Sequence, residues 1–227
     1  LQPYDSLPGR WLLGGALSVA GSSFTWYIEQ FERATDREVT QDQRLFEKLE
    51  IEASHVKPGS EGLFFLPHLM GERCPENPNA RAVLYGLSVG HTRAHIARSM
   101  YEGIAFSLRR IIDLVEERVG VEFKTFRAFG GGSKSKLMTQ ILADVLGKPI
   151  LLPAEEEVGA LGLALVAASI LKHSRLEAVY ERTNETAEEI EPQNELVRTY
   201  GRLYSLFRRI EEDMAPVYGR TAVLDSL

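Results

Sequence analysis

Three consecutive glycines constrain this chain more than any other feature. In "AFGGGSKSKLMTQILADVLGKPI", residues 128–150, they join a β-patterned run to a strongly striped helix. The run "FKTFRAF" predicts a strand closing at Phe129. A helix from about Ser133 to Leu146 turns Leu137, Met138, Ile141, Leu142, Val145 and Leu146 to one side. Gly147 and Pro149 stop it, and "PILLP" is the next strand. Strand, helix and strand in such short order make an α/β unit.

The rest of the chain fits that class. Trp11 to Leu17 reads as a strand or its tail, and "SVAGSSFTWYIEQFERAT" as a helix with Phe24, Tyr27, Ile28 and Phe31 on one face. Thr35 to Ala53 is a charged surface helix. "KPGSEG" is a turn before the strand-like "LFFLPHLM". Residues 71–92, broken by Pro75, Pro78 and several glycines, predict a long ordered loop, and such loops are usually functional. From Thr92 to Val119 a stripe through Ile96, Met100, Ile104, Leu108, Ile111 and Val115 predicts the longest helix, with Thr92 as N-cap and Gly120 as stop. "EEEVGALGLALVAASIL" is a small-residue helix suited to close packing. Leu196, Tyr200, Leu203, Phe207 and Ile210 mark a last amphipathic helix.

Composition narrows the function classes. The 227 residues are 44% hydrophobic, which gives a sizeable core, and the net charge of -6 with no basic face argues against a nucleic-acid partner. One cysteine, Cys74, cannot form an internal disulfide. No apolar run is long enough for a membrane span. The chain opens on "LQPYDSLPGR" with no signal-like segment. We read it as a domain cut from a longer protein, and as cytoplasmic.

A glycine turn between strand and helix permits positive φ and lets a ligand lie on bare backbone. The N–H groups at the helix start favour anions. The Walker spacing is absent, and the dinucleotide fingerprint lacks its third glycine. The turn alone reads first as a plain tight strand–helix turn, and only second as a nucleotide contact.

"AVLYGLSVGHTRAHIARSMYE", residues 82–102, resembles a signature of the FGGY carbohydrate kinases through Ala82, Leu84, Gly86-Leu87, His95-Ile96 and Ser99-Met100-Tyr101-Glu102. "GLFFLPHLMGERCPENPNAR" looks like that family's upstream loop, "FGGGSKSKLMTQILADVLGKPI" like its adenosine segment, and "EEEVGALGLALVAA" like the helix that follows. Xylulokinase-like members are nearest. The resemblance implies an actin- and hexokinase-like (ribonuclease H-like) α/β fold with a mixed central sheet and flanking helices. It implies that residues 1–227 form a single C-terminal nucleotide-binding domain. ATP with Mg2+ would bind here, and a ketopentose such as xylulose mainly in an N-terminal domain that the chain lacks. Glycerol, gluconate or ribulose kinases, or a non-catalytic nucleotide-binding module, are the alternatives.

By the same resemblance Gly130, Gly131 and Gly132 carry the adenosine, Ser135 sits near the adenine edge, and Gly21 and Thr25 line the other side. The family's general-base aspartate and its phosphate hairpins have no counterpart here, so no catalytic residue is assigned and the chain alone is expected to be inactive. A homodimer is compatible with this reading. His91 and His95 lack a third metal ligand. Cys74 lacks a basic partner beyond Arg73. Glu72 and Arg73 fit either a surface pair or a role in closing the interdomain cleft.

Overall fold

The computed structural model describes residues 2–7, 10–31, 43–155, 157–171, 176, 179 and 186–221. Its spine is a 27-residue helix, α3, Arg93–Val119. The stripe seen in the sequence accounts for Met100, Ile104 and Ile111, yet every residue from Ala97 to Ser107 is buried. A helix enclosed on all sides for three turns must pair its polar groups. Arg98 does so with Glu102 one turn on, Nε to Oε1 at 2.9 Å, and with the Tyr200 hydroxyl at 2.6 Å.

Glu102 also fixes the chain ahead of the next strand. Its carboxylate accepts the Gly59 N–H and the Ser60 hydroxyl, both at 2.9 Å. These lie in a turn whose residues 59–62 all have positive φ. Two of the four, Ser60 and Glu61, carry side chains that resist this conformation, so the buried carboxylate stabilises the turn against local strain. The turn leads into β3, Phe64–Leu66, which crosses α3 at Gly103.

Residues 71–92 are more ordered than a loop. β4 (Glu72–Arg73) and β5 (Glu76–Asn77) form a small hairpin, and β6 (Val83–Tyr85) pairs antiparallel with β3. Strands of two or three residues fall below what alternation in sequence can mark. At the start of the chain β1, Gln2–Leu7, pairs antiparallel with β2, Arg10–Gly14; only β2 overlaps the stretch Trp11 to Leu17 read as a strand.

α1 spans Gly21–Phe31 and buries Phe24, Tyr27 and Ile28, as the spacing predicts. α2 spans Gln43–Ser54, and the earlier part of that expected helix lies outside the described residues. β7 (Phe126–Arg127), α4 (Lys136–Leu146) and β8 (Ile150–Pro153) form the parallel β-α-β unit, and β9 (Thr186–Ile190) adds antiparallel to β8. α6, Asn194–Thr221, closes the core through Tyr200, Tyr204 and Phe207, whose rings surround Phe106 of α3. One expectation fails here. The small-residue helix α5, Val158–Leu171, is mostly exposed, and only Leu165 on it is buried. A side chain added at Gly159 or Gly162 would meet nothing within 4 Å among the described residues, so no close partner accounts for them.

Candidate functional site

The glycine turn sits at the carboxyl end of β7, where open α/β sheets present their ligand crevices. The Ala128 N–H still donates to the Leu151 carbonyl, and the chain then leaves the sheet. Gly130 has φ 84° and ψ -171°, a region closed to residues with a Cβ. Gly131 and Gly132 have no such requirement; neither has positive φ. A Cβ built on any of the three would meet nothing within 4 Å. The described residues therefore demand glycine at 130 alone, and leave bare, open backbone at 131 and 132.

The helix after the turn starts later than its sequence predicts. Gly131–Lys134 form one 3-10 turn, Ser135 returns to extended backbone, and α4 begins at Lys136. Ser135 is its N-cap: the Met138 N–H donates to Oγ at 3.1 Å. The Leu137 N–H donates to the Glu50 carboxylate of α2 at 2.9 Å. Two first-turn donors are thus satisfied inside the molecule, which corrects the expectation that they await an anion. Spacing could not have found Glu50, which is one of many charges on a surface helix.

Gly21 opens α1 with free space beside it, and Thr25 lies one turn on, half-buried. Behind α1 lies Tyr101 of α3, whose ring packs on Phe24 with centroids 4.4 Å apart. Burial, with Glu50 beside it, pushes the phenol up to about 12. In the sequence Tyr101 stands out only as a signature position, with no sign that its ring meets α1.

The remaining candidates resolve into structure. His95 accepts the Thr92 N–H at Nδ1 and so caps α3, while His91 accepts the Ser88 N–H in the same manner. Each imidazole spends a nitrogen on the backbone, which argues against a metal pair. His68, Glu72 and Glu211 do converge closely enough to hold a cation. Arg110 already fills that role: its Nη1 pairs with Glu72 and, at 3.0 Å, with Glu211. Glu72 therefore points inward and is no surface partner of Arg73, which is exposed. Cys74 is buried, close to Gly15 and Ile111. An open concavity of about 460 Å3, lined by Tyr27, Phe31, Leu87, Val89 and Ile96, contains none of the expected nucleotide contacts. Among the described residues no helix is long and apolar enough to cross a membrane.

Comparison with known proteins bears on the family and the fold. The family model described as "FGGY family of carbohydrate kinases, C-terminal domain" matches residues 1–171. A xylulose kinase of Lactococcus lactis is 33% identical over 164 residues, 72% of this chain and 31% of that protein. A glycerol kinase of Citrifermentans bemidjiense is 36% identical over 202 residues, 85% of this chain and 39% of that protein. The crystal structure of a ligand-bound xylulose kinase from Lactobacillus acidophilus superposes with a TM-score of 0.81 at 27% identity, over 96% of this chain and 43% of that one. The chain thus spans about a third to two-fifths of these relatives, and its fold is the actin- and hexokinase-like α/β arrangement of the sugar kinases. It belongs to the FGGY family of carbohydrate kinases and matches their C-terminal domain.

Proposed function

We propose that this chain is the nucleotide-binding half of an ATP-dependent sugar kinase, folded as one domain over residues 1–227. The observation that carries the proposal is the bare backbone at Gly131 and Gly132, open at the end of β7 in a chain of this family. In this reading Gly130, Gly131 and Gly132 receive the adenosine, Ser135 meets the adenine edge while capping α4, and Gly21 and Thr25 line the opposite side. The nucleotide arrives as its Mg2+ complex, in which the ion neutralises phosphate charge. The first-turn donors of α4 are occupied by Ser135 and Glu50, so the phosphates are assigned to the rest of the kinase.

Phosphoryl transfer depends on positioning and electrostatic stabilisation of the moving group, and half of that apparatus does not turn over. A ketopentose such as xylulose is the acceptor we favour, from the names of the relatives. The 36% identity to a glycerol kinase favours glycerol as the second reading. ADP release from Mg-ATP, measured with xylulose, glycerol and gluconate, tests both. The chain alone should release none, and the full-length parent should respond most to xylulose. Sugar-dependent turnover by the chain alone would contradict the assignment, and a glycerol response in the parent would select the second reading.

A further inference from the structure

α4 does not supply the charge that its own N-terminus calls for. The positive end of a helix is best met by an acid in the first turn. α4 has none there; it begins on Lys136, and Lys134 stands just ahead of it. The acid comes instead from another helix. Glu50 of α2 accepts the Leu137 N–H at 2.9 Å. Its neighbours Leu49 and Ala53 are 4% and 0% exposed, so a backbone anchored in the core presents the carboxylate. Of the two side chains that cap α4, Ser135 is neutral and Glu50 carries the charge. A carboxylate on first-turn amides stands where the phosphate of a ligand would otherwise settle.

We propose that Glu50 is a specificity-determining residue that sets the direction in which a nucleotide lies along the glycine turn. The uncharged base end lies toward α4 and the phosphate end away from it; this rests on the nucleotide-binding reading above. A helix start flanked by two lysines would by itself draw phosphate, and a nucleotide seated that way round would be reversed. The carboxylate removes the reversed mode by repulsion. Specificity of this kind comes from a clash built against the wrong arrangement, and adds nothing to the attraction for the right one. Like charges about 4 Å apart near a protein surface repel strongly enough to change affinity roughly tenfold at low salt.

The test uses the whole chain, labelled with 15N, and three probes: adenosine, ADP and inorganic phosphate. Glu50→Gln keeps an acceptor for the Leu137 N–H and drops the charge, while Glu50→Ala drops both. The Kd for ADP divided by the Kd for adenosine should fall roughly tenfold in each variant. A loosened helix would weaken both ligands alike, so this ratio separates charge from scaffold. Glu47→Gln makes the same charge change on α2 at an exposed site that pairs with Gln43, and should leave the ratio at its wild-type value. With Mn-ADP, whose ion rides on the phosphates, wild-type amides at 136–139 should broaden less than those at 128–131. In Glu50→Ala that difference should vanish or reverse. Inorganic phosphate should shift the amides of residues 136–138 in Glu50→Ala and leave them in place in the wild type. A ratio unchanged in both Glu50 variants, or phosphate shifts equal in Glu50→Ala and wild type, overturns the proposal. Phosphate shifts confined to Glu50→Ala, in a chain that binds neither adenosine nor ADP, support the exclusion of anions and overturn the nucleotide reading.

Discussion

Gly103 and Gly131 are the same residue used for opposite reasons. At Gly103 a Cβ would fall 2.0 Å from the Phe65 carbonyl oxygen, where α3 and β3 cross backbone to backbone. At Gly131 a Cβ would meet nothing within 4 Å. The first glycine is required by the packing of the chain on itself. The second is required by nothing among the described residues, and that freedom is what a surface built to receive a ligand looks like before the ligand arrives. Around Gly103 the molecule is closed, with Arg98 and Glu102 paired in the dark. Around Gly131 it is open, and Ser135 and Glu50 fix the start of α4 just beyond the turn.

Substitutions on the two sides should therefore part company. The largest effect is expected at Glu102→Gln, which leaves the Arg98 charge buried without a counter-ion. Breaking such a pair costs about 3–5 kcal/mol, read as a lower urea midpoint. Gly103→Ala comes next, because a peptide oxygen cannot swing aside as a flexible side chain would. A loss of about 3 kcal/mol is expected by the same denaturation.

Tyr101, on the border of the two regions, gives a pH dependence. Its folded value is raised to about 12 from 10.0, so the folded state holds its proton more tightly than the unfolded chain does. The associated stability is fully present below pH 10 and is lost as pH rises toward 12. Wild type should lose roughly 2 kcal/mol more than Tyr101→Phe across that window in alkaline denaturation. On the open side, Gly130→Ala meets only backbone strain at φ 84°, about 1–3 kcal/mol. Gly131→Val should leave the thermal midpoint nearly unchanged, within about 0.5 kcal/mol, as an exposed site without partners does.

What was legible in the sequence follows the same division. The stripe on α3, the stripe and Gly147 stop of α4 and the apolar face of α6 were readable, because burial imposes a helical period and glycine ends it. The glycine turn was readable because three glycines in a row have few explanations. The tiny strands at residues 72–77 and 83–85 were not, since pairs and triplets carry no period. Nothing in the sequence marked Arg98 and Glu102 as a buried pair, because the stripe predicts one buried face and the helix has three turns buried all round. Glu50 acts across 87 residues of sequence, on Leu137. Such a contact exists only once the fold has brought α2 and α4 together. The packing freedom of α5 went the other way: its small residues suggested a tight neighbour, and none of the described elements supplies one.

The central claim is that the open turn is a nucleotide site, and calorimetric titration of Mg-ATP and ADP into the chain and into Gly131→Val tests it most directly. The account predicts saturable binding by the wild type, loss of that binding in the variant, and matching thermal midpoints for the two. Equal binding by both proteins would place the nucleotide away from the glycine turn and contradict the account.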